Sequence, residues 1–446
     1  MRTTTASLGG LLLLAGLWLS GCGADPVQEG WRAYARGEFQ QAEQLFQEAL
    51  NASDPRQGAE AALALAELAL GRLEFQQAEA MYRRAWGQLP NDPRPLLGYA
   101  EALLRQGREE AALQALYELV NRFPEGDHVL RAAGLLGDAY ATVRLTRTAT
   151  DNYSPHFSPD GTTLLFTSHQ EGSGDIYRLS LETLRMEPVV QMPMTNEYAA
   201  QFTPDGKGIV FASIQYRSEA GVLTFHGSGS TVRNEMIYFR DLETGEERAL
   251  TSTPSPVANP VLRPDGGLLA FEAIVDENLD VWTMDLSGKS RTRWTEDESD
   301  EGNPVWLPDG RHLLYVGTDS ENHYDLFLLD TQTRAVQRLT QTAINEYAGA
   351  FSPDGSAYVY PRQFGDAKIE LAWMDWKSRR SYTISRGRGL SAQPVFSPDG
   401  SKLVFVSDRS DYLELYLMDL SRPVSADTLR RQLRARLERA ERRETP

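Results

Sequence analysis

The sequence predicts an α + all-β multidomain chain: an α-solenoid of three helix pairs, followed by a six-bladed β-propeller closed by residues 142–146. Three observations carry this expectation. Pro-Asp-Gly occurs six times, starting at Pro159, Pro204, Pro264, Pro308, Pro353 and Pro398, with intervals of 45, 60, 44, 45 and 45 residues. A strand-rich unit of about 45 residues is the period of a propeller blade. Upstream, Glu38-Phe39-Gln40-Gln41-Ala42-Glu43 returns unchanged at Glu74–Glu79, 36 residues later, among helix formers with few β-branched residues. Finally, a mostly hydroxyl column stands 13 residues before each Pro (Thr146, Gln191, Thr251, Thr295, Thr340, Ser385), and its first member precedes the first complete blade. Residues 142–146 therefore read as a fourth strand without a blade of its own. The last blade has three strands before the chain turns helical near Ser425, so this strand completes it and removes the open edges.

The N-terminus comes first. Arg2 precedes a Leu-rich run over residues 8–19 that is too short to span a bilayer and has the form of a secretion signal. Leu19-Ser20-Gly21-Cys22 follows, and it resembles the lipobox of bacterial lipoproteins. That resemblance implies removal of residues 1–21, lipidation of Cys22 and stable anchoring by several acyl chains. Gly23 after the cysteine favours the outer membrane. Cys22 is the one cysteine of the chain, so no intrachain disulfide forms.

Residues 22–26 form a linker, and residues 27–141 the helical repeats. Small and large residues recur as Ala42, Phe46, Ala49; Ala78, Tyr82, Ala85; and Ala112, Leu116, Leu119. A small residue lets antiparallel helices approach, and the large one four positions later lies on the same face. Pro90 and Pro124 follow the second helix of their units, where a helix must stop. The pattern resembles the tetratricopeptide repeat, and residues 127–141 read as a solvating last helix. Such a stack implies a concave groove for a peptide or helix, or a rigid spacer.

The propeller is expected over residues 142–420. In each unit Pro-Asp-Gly makes the hairpin between the first two strands. A large apolar residue lies two before Pro (Phe157, Phe202, Leu262, Trp306, Phe351, Phe396), and an aromatic seven after it (Phe166, Phe211, Phe271, Tyr315, Tyr360, Phe405). Both columns are expected to pack as core between blades. Phe157-Ser158-Pro159-Asp160-Gly161 and its copies at Phe351 and Phe396 resemble the repeats of the TolB-type propeller family. That family's lipoprotein partner is not carried over, because its N-terminal domain is not a helical repeat.

The loops that enter each blade are expected on the face opposite the Pro-Asp-Gly turns, near the channel mouth. They repeat Asp151-Asn152-Tyr153, Asn196-Glu197-Tyr198, Asp300-Glu301-Gly302 and Asn345-Glu346-Tyr347. These are the candidate partner-binding residues, an acidic and aromatic ring able to receive a basic peptide or a cation. The same side chains are equally able to cap strand starts. An insertion at Arg217–Asn234 lengthens the second blade on this face and suits a partner-contact loop or lid. Loops at Asp276-Glu277-Asn278 and Asp319-Ser320-Glu321-Asn322 carry oxygen ligands for calcium without the spacing of a known motif, so no cofactor and no metal are expected.

Residues 421–446 form a basic tail. Leu429, Leu433 and Leu437 make a narrow stripe among seven arginines, suited to docking on the helical repeats, on a partner or on anionic lipid. A formal charge of −17 argues against a nucleic-acid partner. There is no G-x-S-x-G elbow, and the six histidines lack ligand spacing. The expected function is non-catalytic: a protein–protein scaffold or adaptor of a cell-envelope complex (Tol-like, secretion or motility), anchored at the outer membrane and facing the periplasm. The alternatives are a sensor or carrier of a small molecule or glycan, and a propeller lyase or hydrolase.

Overall fold

The computed structural model describes residues 25–215, 234–252, 257–275, 278–366, 369–387 and 389–444. Cys22 and the signal segment lie outside the described residues. So do Asp276, Glu277 and all of the insertion except Asn234, which opens a strand.

Seven helices open the fold: α1 (Pro26–Ala35), α2 (Phe39–Leu50), α3 (Pro55–Gly71), α4 (Phe75–Gln88), α5 (Pro93–Arg105), α6 (Glu109–Arg122) and α7 (Asp127–Leu136). The odd helices α1, α3 and α5 start alike. Asp25, Asp54 and Asp92 accept the backbone N–H of Val27, Arg56 and Arg94 at 3.0, 2.9 and 2.9 Å, and a proline fills the first helical position. The small–large repeat has a geometric cause. A Cβ added at Gly30 would lie 2.4 Å from the Phe46 ring, and one at Gly98 would lie 2.2 Å from Tyr82. Phe46 and Tyr82, each on an even helix, thus seat against a glycine of an odd one.

Six antiparallel sheets follow. The first comprises Asn152–Phe157, Thr163–Ser168, Asp175–Ser180 and Met186–Val190. In the fifth, the innermost strand is split into Ile344–Glu346 and Ala350–Phe351. The sixth, Ser391–Phe396, Lys402–Ser410 and Tyr412–Pro423, is completed by Tyr140–Arg144, which pairs antiparallel with Tyr412–Pro423. The closing strand thus starts two residues before the expected one. Thr146 has left the ladder and acts by its side chain: its Oγ1 accepts the Leu415 N–H at 2.9 Å. Thr251, Thr295 and Thr340 do the same for Ile237, Val281 and Leu326, each at 2.9 Å. The hydroxyl column therefore fastens the fourth strand of a blade to its third.

The Pro-Asp-Gly turns are held by their own letters. Asp160 Oδ1 accepts from Ser158 Oγ at 2.6 Å and from the Thr162 N–H at 3.0 Å, and Gly161 has φ 70°. The turns also touch one another. A Cβ at Gly206 would sit 3.7 Å from Pro159, one at Gly266 3.0 Å from Pro204, one at Gly355 3.8 Å from Pro308, and one at Gly161 3.4 Å from Pro398. They form a closed ring, with the last blade against the first. The aromatic column is fully buried, from Phe166 to Phe405.

The helical stack docks on the propeller through its odd helices. Gln337 Nε2 donates to Ala35 O at 3.2 Å, and the Ala343 N–H to Gly71 O at 2.8 Å. Arg105 meets Glu370 at 2.7 Å, with both side chains buried, and its guanidinium lies 3.5 Å from the Phe364 ring centroid. Arg380 pairs with Glu67, and Arg131 lies over Tyr382. Asp138, just past α7, takes Ser385 Oγ at 2.5 Å and Arg409 at 2.7 Å. These contacts fall on blades four, five and six. The tail forms α8 (Ala426–Glu444), and it docks on the stack. Leu429 and Leu433 are fully buried with Leu113, Leu116 and Val129. Arg436 donates to the α7-terminal Leu136 carbonyl at 2.7 Å, where a helix favours a cation.

Candidate interaction face

The loop that enters each blade ends in a first strand with one local irregularity. Register shifts lie between Tyr153 and His156, Tyr198 and Gln201, Ala258 and Val261, Gly302 and Val305, and Ala392 and Val395. At each bulge one residue adopts a left-handed φ: Ser154, Ala199, Asn259, Asn303 and Gln393 at 48–53°. The bulge re-aims the side chains on either side of it.

The repeated triplets divide by position. The first member fastens neighbouring blades. Asp151 Oδ1 accepts the Leu413 N–H at 2.9 Å, Asn196 Oδ1 that of Gly174 at 2.6 Å, Asp300 Oδ1 that of Leu279 at 3.0 Å, and Asn345 Oδ1 that of Tyr324 at 3.1 Å. Every acceptor reaches back to the start of the third strand of the preceding blade. Asp151 and Asp300 remain exposed, whereas Asn196 is buried and Asn345 half-buried.

The second member is buried in all four copies. Asn152, Glu197, Glu301 and Glu346 are no more than 3% exposed. Asn152 donates to Glu414 at 3.1 Å. Glu197 accepts from Thr195 and Ser213, and Glu301 from Ser299 at 2.6 Å. Burial, with Asp297, Asp280 and Asp300 nearby, pushes the Glu301 carboxyl up to about 7. Burial and Asp325 push Glu346 up to about 8. These two carboxyls present no anionic ring to a partner. The third member is packed too: Tyr153 Oη meets His169 Nε2 at 3.1 Å, Tyr347 donates to Gln363 at 2.9 Å, and Tyr198 is half-buried. At Gly302 an added Cβ would lie 2.7 Å from a Glu272 oxygen, so no tyrosine fits there.

A second acidic column escaped the sequence reading. The third strands begin with Asp175, Glu235, Asp280, Asp325, Glu370 and Glu414, all buried. Arginines of the fourth strands reach several of them. Arg293 meets Asp280 at 2.7 Å, Arg338 pairs with Asp325, and Arg144 of the closing strand meets Glu414 at 2.5 Å. Glu370 takes Arg362 at 3.2 Å beside Arg105 of the stack. Burial works against its charge, yet the two guanidiniums hold the carboxyl down at about 2. The signal is legible in retrospect: Arg144-Leu145-Thr146, Arg293-Trp294-Thr295 and Arg338-Leu339-Thr340 share an Arg-x-Thr spacing.

The helical stack covers the loops between blades four and five, where Gly71 O holds Ala343. Among the described residues, the face around blades one to three is acidic. Asp151, Glu171, Glu296, Asp297, Glu298 and Asp300 are exposed there, with Met194 at 79% and Ile274 at 42%. Asp319 serves its own loop instead, accepting the N–H of Glu321 at 2.8 Å and of His323 at 2.9 Å. Among the described residues, no group of three or more His, Cys, Asp or Glu side chains is arranged to hold a metal ion.

The TolB beta propeller domain family matches residues 229–379, and a tetratricopeptide repeat family matches residues 74–136. Among solved structures, the chain is similar to a TolB-type protein from Agrobacterium tumefaciens, at 23% identity and TM-score 0.48 over 63% of this chain and 93% of that one. It is similar to TolB from Acinetobacter baumannii, at 19% identity and TM-score 0.44 over 72% of this chain and 70% of the other. It is also similar to an oligogalacturonate lyase from Vibrio parahaemolyticus, at 16% identity and TM-score 0.46 over 64% and 95%. No activity follows from likenesses at these identities and TM-scores. In family terms, the chain joins tetratricopeptide repeats to a six-bladed TolB-type β-propeller.

Proposed function

We propose that this chain is a non-catalytic scaffold of a bacterial cell-envelope complex, held at the outer membrane by lipid on Cys22 and facing the periplasm. Tetratricopeptide repeats and TolB-type propellers generally serve protein–protein contacts, which supports the coarse reading. One observation supports the finer one. The half of the channel-mouth face left open by the helical stack carries Glu296, Asp297, Glu298 and Asp300 beside exposed apolar Ile274. An acidic surface with apolar contact area suits a cationic protein segment. In this reading the helical repeats brace the propeller, because their odd helices are occupied by it.

Triple reversal of Glu296, Asp297 and Glu298 to Lys tests the face; Asp297 acts on buried Glu301 and Glu296 on buried Asp280, so a thermal melt first checks that the variant folds. Crosslinking mass spectrometry in the native envelope is expected to lose a reproducible partner, while the Cys22→Ser protein moves from the membrane to the soluble fraction. An unchanged crosslink set with the triple variant sinks the proposed face. Unchanged fractionation of Cys22→Ser sinks the anchor.

A further inference from the structure

The fifth blade is built differently from the other five. Their innermost strands run whole, as in Asn152–Phe157 and Ser391–Phe396, whereas this one breaks between Glu346 and Ala350. Five residues after the Pro of each turn the other blades carry a buried leucine or isoleucine: Leu164, Ile209, Leu269, Leu313 and Leu403. The fifth has Tyr358 there, and its Oη accepts the Gly349 N–H at 2.7 Å. A phenol thus holds an amide inside the break. The same stretch touches the helical stack, because Ala343, just before Ile344, gives its N–H to Gly71 O at the end of α3.

Glu346 is the last residue before the break. It is buried, and its Oε2 has no hydrogen-bond partner. The charged groups around it are already engaged. Arg338, beyond the preceding seam, is held by Asp325 and by Asp319 at 3.2 Å. Arg362, the cross-strand neighbour of Glu346, serves Glu370, Ser381 and Thr383 at 3.2, 3.2 and 2.8 Å. The nearby Thr340 Oγ1 accepts the Leu326 N–H at 2.9 Å and donates to Asp325 at 3.1 Å. It keeps a lone pair, which a protonated carboxyl can use and an ionised one cannot. From the stack, α1 sets Tyr34 against this pocket, with Glu67 of α3 beside it. Tyr358 and Tyr360 face it from the adjoining strand Ala357–Phe364. Burial raises all three phenols, as it raises Glu346 itself, so the pocket accepts a neutral group and resists an anion.

We propose that the protonated Glu346 carboxyl is a latch on the channel-mouth segment 342–349: when it ionises, this segment opens away from α1 and α3 while the blades stay folded. The short strand Ile344–Glu346 pairs over three residues only, so its release is a local event. The stack stays on the ring meanwhile, through Gln337–Ala35 and Arg380–Glu67 on either side and Arg105–Glu370 farther along. The mouth therefore has one loop whose position follows pH, at the boundary between the helical stack and the acidic sector. The sign follows from linkage. The closed segment keeps a proton that the open one, with its carboxyl in water, releases above about pH 4.5. Closure is complete below that value and weakens as pH rises toward the folded one.

Hydrogen exchange read by mass spectrometry on the full chain tests this from pH 6 to pH 9. Three amides of the segment report: Ala343 on Gly71 O, Tyr347 on Pro361 O at 2.9 Å, and Gly349 on Tyr358 Oη. Dividing out the intrinsic exchange rate leaves the opening constant. Opening that releases one proton is expected to raise this constant about tenfold per pH unit up to about pH 8 and to level off above it. In Glu346→Gln the constant is expected to stay flat. If that variant does not fold, Glu346→Leu, which also lacks the proton, takes its place. The strand Thr163–Ser168 of the first blade is the reference and is expected to stay protected throughout. An opening constant in the parent that does not change between pH 6 and pH 8 overturns the inference, and so does an equal rise in the variant. A rise shared by the reference strand means global unfolding in place of a latch, and overturns it too.

Discussion

Glu301 and Glu346 hold their protons more tightly in the fold than in the open chain, because burial disfavours the charged form and neighbouring acids add to it. The native state therefore binds more protons than the unfolded one from about pH 4.5 up to their folded values of about 7 and 8. Stability contributed at these sites is present below that window and is lost as pH rises through it. Glu370 works in the opposite direction. Its folded value of about 2 lies below the ordinary one, so its pairing stabilises above about pH 4.5 and is lost as pH falls toward 2. Thermal unfolding across pH 3–9 is expected to peak near pH 5. Glu346→Gln is expected to flatten the alkaline limb by on the order of 1–3 kcal/mol while leaving the acid limb unchanged. An alkaline limb unaltered by that substitution contradicts this account. The repeat of Asp or Asn, then Glu, then Tyr was readable in the sequence, but the burial of its middle member was not. Strand alternation assigns faces by counting in twos, and the bulge at Ser154, Ala199 and Asn303 resets the count.

Among the elements, α8 shows what a stripe of leucines fixes and what it leaves open. The spacing of Leu429, Leu433 and Leu437 specifies a helix with one apolar edge. It does not say which surface receives that edge, because the receiving residues (Leu113, Leu116, Val129 and Leu136) lie some three hundred positions earlier and become neighbours only after the ring has closed. The structure seats α8 over α6 and α7, where it covers the end of a stack that otherwise stops at an apolar face. Leu429→Asp with Leu433→Asp is expected to undock it. A single buried leucine lost to a small residue costs about 2–5 kcal/mol, and a buried unpaired carboxylate adds to that. Limited proteolysis reads the outcome: early cleavage within 426–444 in the variant, resistance in the parent. If the two chains are cut at the same rate, α8 does not cap the stack. The same logic explains the helical groove. Repeats at 36 and 34 residues announce a concave surface. Only the folded chain shows Ala35, Gly71 and Arg105 placing their successive helix ends against its own blades.

At the scale of the whole molecule, one short strand joins the two architectures. Tyr140–Arg144 leaves α7 through Asp138, whose carboxylate is already clasped by Ser385 and Arg409, and then pairs with the last strand of the chain. The helical stack and the ring are therefore not beads on a linker. The segment that ends one completes the other, and the Arg105–Glu370 pair with its neighbour Arg362 locks them side by side. Ring closure couples residues nearly three hundred positions apart, so the loop-closure entropy is met late in folding, after five blades have the partners they need. A chain beginning at residue 148 keeps six Pro-Asp-Gly turns and the whole aromatic column of the blades, yet it exposes the outer edge of Tyr412–Pro423 and leaves Glu414 without Arg144. An open edge over a half-covered apolar face pairs with other chains, and a buried carboxylate without its cation costs about 3–5 kcal/mol. That truncated chain is expected to keep its β signal in circular dichroism, melt well below one beginning at residue 137, and elute as oligomers in size-exclusion chromatography with light scattering. Supplying residues 138–147 as a synthetic peptide is expected to restore the monomer in part. A truncated chain that stays monomeric with an unchanged melting temperature would show that the ring closes without this strand.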